Sequence, residues 1–248
     1  MSSPRTRRAL VTGAASGIGA GAARFLLKSG ADVIATDINP QGLDGLAEQG
    51  ATPLVADLGN QDDRAKVIEA ARGVDWLVQA AGIIRLKDIA DITVEDWREI
   101  FQVNAEAVFF CCQGIGPTMP PGGAIVNISS SSAKLSNTVE AASYAATKAG
   151  VLSITRSFAY ALSSIPVRVN AICPGIIDTP MQDAVLDQVS ALRGISPQQL
   201  SDQRQASVPL GRGATPDEIA ELIWFLLSDG AGYMTGQAIN FDGGLVTW

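Results

Sequence analysis

A chain of 248 residues, 47 % hydrophobic and only 17 % charged, suits one large globular domain, because single cores stop growing near about 250–300 residues, and it excludes a disordered chain. The net charge of −7 argues against a general nucleic-acid binder, which needs clustered Lys and Arg, and against binding to an anionic membrane. Histidine is absent, so Ser–His–Asp and Cys–His hydrolases are excluded as well.

The basic start at Arg5, Arg7 and Arg8 runs to Gly13 without the apolar stretch of a signal peptide, and no run of about 18 apolar residues could cross a bilayer. A soluble, cytoplasmic protein is expected. Residues 9–12 form the first predicted strand, and a glycine-rich turn follows. The helix after it, 17–29, carries Ile18, Ala22, Phe25 and Leu26 at helical spacing and stops at Gly30. Further short runs rich in β-branched residues, at 32–37, 52–57, 76–80, 124–129, 167–172 and 237–241, bring the predicted strands to seven. Asp37, at the end of the second, has as one alternative role the start of a turn with Asn39-Pro40. These runs are apolar throughout instead of alternating, as in parallel strands covered on both faces. Predicted helices at 60–72, 94–112, 142–163 and 215–227 complete a repeated β-α pattern, which right-handed crossovers build into a doubly wound sheet. The expected fold is α/β: one Rossmann-type domain over 1–248, with a mostly seven-stranded parallel sheet and helices on both faces. Residues 176–212 depart from this pattern, being long and polar, and a helical lid over the strand carboxyl ends is expected there. Cys111, Cys112 and Cys173 are odd in number, lack C-x-x-C spacing and have no histidine to join them. Core packing is expected of them, and no metal site.

The first strand runs straight into Thr12-Gly13-Ala14-Ala15-Ser16-Gly17-Ile18-Gly19. Glycine there lets the turn tighten, lets backbone N–H groups approach a pyrophosphate, and aims the helix N-terminus at the anion. Asp37 ends the second strand, where a carboxylate can accept both ribose hydroxyls of an adenosine and would repel a 2′-phosphate. No Lys or Arg lies in the turn or just after Asp37, so NAD is expected in preference to NADP. Asp57 could meet the adenine amino group while Leu58 covers its edge; capping the next helix is the alternative role for Asp57.

Without histidine, an acid–base catalyst must be found elsewhere, and Tyr144 and Lys148 stand four residues apart in a predicted helix. That spacing puts both on one face. At about 4 Å and an effective dielectric of about 20 the Coulomb term is about 4 kcal/mol, enough to draw a phenol from about 10 towards about 7.

In order and spacing, the glycine turn, Asp57-Leu58, Tyr144-Ala-Ala-Thr-Lys148, and Pro174-Gly175 followed by Thr179 resemble the short-chain dehydrogenase/reductase family along essentially the whole chain. The resemblance implies an NAD-dependent oxidoreductase that interconverts a secondary alcohol and a ketone. It implies that Tyr144 is the general acid/base, that Lys148 holds the nicotinamide ribose and depresses the phenol, and that the carbonyl of Asn104 positions a relay water. A serine at the end of the fifth strand should hydrogen-bond the reacting oxygen. Strand position favours Ser130 and the family spacing before the tyrosine favours Ser131; Ser130 is the choice here, because strand position fixes geometry. Ala81 and Gly82 are expected to keep a close backbone approach to the cofactor, and Pro174, Gly175, Ile177 and Thr179 to contact its carboxamide and diphosphate. Where the family has Asn-Asn-Ala-Gly at the end of strand four, this chain has Gln79-Ala80-Ala81-Gly82, so the central sheet is expected to lose a polar side chain. The segment from Gly82 to Arg85 and the ending at Gly243-Gly244 and Trp248 are similar to polyol and sugar-acid dehydrogenases, with Arg85 meeting a substrate carboxylate or hydroxyls or, in preference, standing as a solvated surface residue. A polyol, sugar or sugar acid is therefore the expected substrate, a cyclic dihydrodiol or hydroxy acid the alternative, and a non-catalytic NAD-binding regulator the rival. Related proteins imply a homotetramer, with no nucleic-acid or membrane partner.

Overall fold

The apolar runs form seven strands: β1 (Arg8–Thr12), β2 (Asp32–Asp37), β3 (Thr52–Val55), β4 (Trp76–Gln79), β5 (Ala124–Ile128), β6 (Arg168–Pro174) and β7 (Ala238–Phe241). The structure is a computed structural model that describes residues 6–135 and 138–248; Arg5 of the basic start lies outside them. All seven strands are parallel, in the order β3-β2-β1-β4-β5-β6-β7. The order reverses between β1 and β4, and the crevice outside the strand carboxyl ends at such a reversal is where doubly wound sheets bind ligands.

Alternate residues of the strands feed two separate cores, which explains why the runs are apolar throughout. Ala9, Val11, Val33, Ala35, Trp76, Val78 and Val126 face one side, where they meet Leu26 of α1 (Gly17–Lys28), Leu43 of α2 (Pro40–Ala47) and Ile219, Ile223 and Leu226 of α9 (Pro216–Leu227). Leu10, Ile34, Leu77, Ile125 and Val169 face the other. There they meet Val67 of α3 (Gln61–Ala70), Cys111, Cys112 and Ile115 of α5 (Ala107–Ile115), and Phe158 of α6 (Ala142–Ala161). Burial pushes the Cys111 thiol up to about 12, so it is an inert packing residue.

The structure differs from the predicted elements in four places. Asn39-Pro40 starts a helix instead of a turn: the Asn39 side chain accepts from the Gly42 N–H and Pro40 takes the first helical position, where its missing N–H is harmless. β3 stops at Val55 because the Asp57 N–H is taken by the Asp63 carboxylate at 3.1 Å. β6 continues to Pro174, paired with Phe241 of β7. The helix predicted at 94–112 is α4 (Val94–Phe101) and α5 joined by a π turn, Gln102–Glu106, with Asn104 inside it; such turns recur at functional sites. Between β6 and α9 lie α7 (Pro180–Arg193) and α8 (Pro197–Ala206), separated by Gly194 at φ 65°.

Candidate active site

A cavity of about 580 Å³ opens at the strand carboxyl ends, well within the range for cofactor sites. All sixteen residues expected to bind the cofactor line it: Gly13, Ser16, Gly17, Ile18, Gly19, Asp37, Asp57, Leu58, Ala81, Gly82, Tyr144, Lys148, Pro174, Gly175, Ile177 and Thr179. Two glycines are there by steric necessity. A Cβ on Gly19 would lie 2.1 Å from the Gly13 carbonyl oxygen, and one on Gly13, which has φ +66°, would lie 2.7 Å from the Ala81 backbone. The turn therefore stacks directly on the segment leaving β4, which the Thr12 hydroxyl holds by accepting from the Ala81 N–H at 3.1 Å.

The start of α1 is built differently from those of six other helices. Asn39, Asn60, Thr93, Thr179, Ser196 and Thr215 each cap their own helix through a side-chain oxygen. Ser16 does not, so the first-turn N–H groups of α1 face the cavity without a side-chain acceptor. That is the arrangement an anion needs. Asp37 closes the other side: one carboxylate oxygen accepts from Ala15 N–H and the other from Asn39 N–H, each at 3.0 Å. Asp57 accepts from Gly59 N–H at 2.8 Å, so its carboxylate shapes the next turn. A dinucleotide fits this end of the cavity: glycines without side chains leave room for a diphosphate, an uncapped helix start faces it, and the Asp37 and Asp57 carboxylates line the part that would take ribose and adenine.

The proposed catalytic groups converge farther along the same cavity. Ser130 follows β5 and lines the cavity together with Tyr144 of α6; its hydroxyl accepts from the Ser132 N–H at 3.1 Å. Ser131 also lines the cavity but starts a short 3-10 turn. Lys148 is buried one turn on, and its ammonium donates to the Ile128 carbonyl at 2.9 Å. Asn104 lies behind the cavity wall. Its Oδ1 accepts from Ile83 N–H at 2.8 Å, and its amide donates to the Ile83 carbonyl and to the Thr147 hydroxyl. Its side chain is a strut that ties the segment after β4 to α6.

The electrostatics correct one expectation. Lys148 was expected to depress the phenol directly, but its ammonium lies 5.6 Å from the Tyr144 ring centroid and is aimed at Ile128. Burial therefore dominates at Tyr144 and raises its pKa above the ordinary value, against a lowering contribution from Ser130. Burial also pushes Lys148 down to about 8, because desolvation disfavours the charged form.

At the end of β4 the polar side chain is lost at Ala80, while Gln79 beside it stays polar. The central sheet keeps a polar rivet: the Gln79 amide, 3 % exposed, donates to Asn127 Oδ1 at 2.9 Å and reaches Cys112 Sγ at 3.1 Å, and Asn127 in turn donates to Thr155 at 3.0 Å. The longer side chain spans from β4 through β5 to α6. Arg85 stands outside the cavity, in a paired fork with Glu99 at the surface. The sequence reading missed the residues contributed by α7 and α8, among them Val185, Arg193, Leu200 and Arg204. No residue spacing in 176–212 announced them.

A family model described as Enoyl-(Acyl carrier protein) reductase matches residues 13–246. Among curated proteins the chain is 36 % identical to a 3-oxoacyl-(acyl-carrier-protein) reductase FabG of Thermotoga maritima, covering 96 % of each chain. It is also 36 % identical to a D-threitol dehydrogenase of Mycolicibacterium smegmatis, over 95 % of this chain and 91 % of that one. A solved structure of an actinorhodin polyketide ketoreductase variant with NADPH superposes over the full length of both chains with a TM-score of 0.88 at 33 % identity. A match along nearly the whole length, on a site assembled in this way, shows that the chain belongs to the short-chain dehydrogenase/reductase family.

Proposed function

We propose that this chain is an NAD-dependent dehydrogenase that interconverts a secondary alcohol and a ketone on a polyol, sugar or sugar acid. The observation that carries the reading is Tyr144 and buried Lys148 one helical turn apart on α6, lining with Ser130 the same cavity as the uncapped start of α1. Bound nicotinamide supplies or accepts the hydride. Tyr144 takes the hydroxyl proton in oxidation or returns it in reduction, and Ser130 hydrogen-bonds the reacting oxygen and stabilises its developing charge. A phenol with a raised pKa stays protonated near neutral pH, the form that donates in reduction; to accept a proton in oxidation it must first ionise, which Lys148 would favour by turning from Ile128 towards the phenol and cofactor ribose. Asn104 positions the backbone on which Lys148 and Gly82 meet: a Cβ on Gly82 would be 3.2 Å from Asn104 Oδ1 and 3.4 Å from Lys148 Nζ. Residues 176–212 form the substrate lid.

The preference for NAD rests on Asp37. Asp37, Ile38, Ala56, Asp57 and Leu58 line the adenosine end of the cavity, and no cation stands among them to balance a 2′-phosphate. A second reading, an NADPH-dependent reductase of β-ketoacyl thioesters, is favoured by the printed names of the relatives and by the apolar wall of Leu86, Val185, Val189 and Leu200. The protein is further proposed to be a cytoplasmic homotetramer, with the α4–α5 and α6 surfaces forming one interface; Phe109 and Phe110 on α5, 38 % and 39 % exposed, support that surface.

One panel tests the choice. Reduced nicotinamide is followed with NAD and with NADP against polyols, sugar acids and cyclic diols, and with NADH and with NADPH against a neutral acetoacetyl thioester. The proposal expects turnover of a polyol or sugar acid with at least about tenfold preference for NAD; thioester reduction with NADPH alone would replace it with the second reading. Cofactor binding with no turnover anywhere would instead indicate a regulator.

A further inference from the structure

Two guanidinium groups line the part of the cavity contributed by α7 and α8, and they are treated very differently. Arg193, the last residue of α7, is held in a fork by both oxygens of Glu140, at 2.7 and 2.8 Å. Arg204, in the last turn of α8, has one protein partner among the described residues, the neutral Gln182 Oε1 at 3.3 Å. No described carboxylate lies within 4.0 Å of it. A guanidinium carries five N–H donors and stays charged, so most of the donor capacity of Arg204 is unused.

Placement near a helix C-terminus accounts for an exposed arginine, which complements the helix dipole. It does not account for this one. Arg204 is only partly exposed, and both burial and the like charge of Arg193 disfavour its charged form. Two positive groups with one carboxylate between them leave an excess positive charge in this wall. The nucleotide end has the opposite polarity, with Asp37 and Asp57 and no cation. Arg204 also borders a smaller recess on its far side, but Asp178 and Asp183 line that recess, so an anion is directed to the main cavity. There Gln203 and Ser207 add further polar groups near Arg204, while Leu86, Val185 and Leu200 supply apolar surface around Tyr144.

We infer that Arg204 is a specificity-determining anchor for an oxyanion, a carboxylate or a phosphate, carried by the substrate on a group other than the reacting carbinol. The inference rests on the alcohol–ketone reading above. It narrows the substrate class from polyols and sugars in general to their acids, their phosphates and hydroxy acids.

Pairs that differ at one terminal group, an oxyanion in one member and a neutral hydroxyl in the other, test it: gluconate against sorbitol, sorbitol 6-phosphate against sorbitol, and 3-hydroxybutyrate against 1,3-butanediol, each assayed with the wild type, Arg204→Met and Arg204→Lys. NAD titration checks that each variant is folded. The expected result is a preference of at least about tenfold in kcat/KM for the anionic member of one pair. Arg204→Met lowers that anionic-to-neutral ratio about tenfold, chiefly through KM, and Arg204→Lys recovers part of it; whether gluconate, 3-hydroxybutyrate or the phosphate gains most identifies the oxyanion. Equal turnover of charged and neutral members by the wild type overturns the anchor and leaves the dehydrogenase reading standing, as does an Arg204→Met ratio equal to the wild-type ratio. If neither these compounds nor the acetoacetyl thioester turns over with either cofactor, the dehydrogenase reading fails. Calorimetric binding of gluconate, 3-hydroxybutyrate and sorbitol 6-phosphate to the NAD-mixed protein then decides the anchor alone: binding weakened at least about tenfold by Arg204→Met supports it, and no binding or equal binding overturns it.

Discussion

The two ends of the cavity are made of different material. The nucleotide end is backbone: glycines that no side chain could replace, the uncapped start of α1, and carboxylates whose oxygens clamp nearby N–H groups. The catalytic and substrate end is side chain: Ser130, Tyr144 and Lys148 on one wall, Arg193, Leu200 and Arg204 on the other. A backbone-built site needs particular residues at fixed spacing, so it leaves a motif. A side-chain site on two helices can be assembled from many sequences, so its chemistry is visible only after folding.

If the ends are separable, the largest effect should come from one atom at the catalytic end. Tyr144→Phe should lower kcat/KM about a thousandfold, in the range of general acid–base catalysis, while NAD affinity stays within about twofold. Near-wild-type turnover would remove Tyr144 from the mechanism. The converse break is Gly19→Ala. Alanine gains about 1 kcal/mol over glycine in a helix, but a Cβ 2.1 Å from the Gly13 oxygen forces the turn apart. A net loss of about 3 kcal/mol is expected, lowering the melting temperature by roughly 6–12 °C and weakening NAD binding; unchanged melting would show that the turn yields more easily than its packing implies. Ser130→Ala sharpens the catalytic end: it should cost about a hundredfold in kcat, against less than about threefold for Ser131→Ala. Equal losses would leave the choice of serine open to the spacing argument again.

The smallest effect tests Lys148, where the two ends meet. Its folded pKa of about 8 lies below the ordinary 10.5. Below pH 8 both folded and unfolded chains hold the proton, and the full burial cost is present. Between about 8 and 10.5 the unfolded chain binds more protons than the folded one, so this group makes stability rise with pH. The buried thiols, all pushed up, act in the opposite direction above their ordinary value near 9. Comparison with Lys148→Met isolates the lysine: the wild type should gain about 2 kcal/mol relative to the variant between pH 8 and 10, read from urea melts. Parallel pH profiles would mean that the lysine is not desolvated.

The sheet was legible because its two cores draw apolar residues from alternate positions of the inner strands, and the nucleotide turn because sterics permit only glycine at Gly13 and Gly19. Helix α2 was not, since Asn39-Pro40 serves a turn and a helix start equally well and Gly42 and Gly45 weaken the helical signal. The bent helix containing Asn104 reads in sequence as a single run; its π turn depends on packing against α6 and the segment after β4. The polar side chain lost at Ala80 is legible in sequence, but the reach of the Gln79 amide to Asn127 is seen only after folding. The polar run at 176–212 concealed Arg204 among residues of similar character.

Asp37 performs two duties with one carboxylate, and this limits how the protein could be re-engineered. Each of its oxygens holds a backbone N–H, one in the glycine turn and one at the start of α2. Replacing it with a small residue to admit a 2′-phosphate would release Ala15 and loosen the same turn that must receive the diphosphate. A change of coenzyme therefore has an order of steps: a new cation has to be installed beside position 37 and an acceptor retained there before the carboxylate can go.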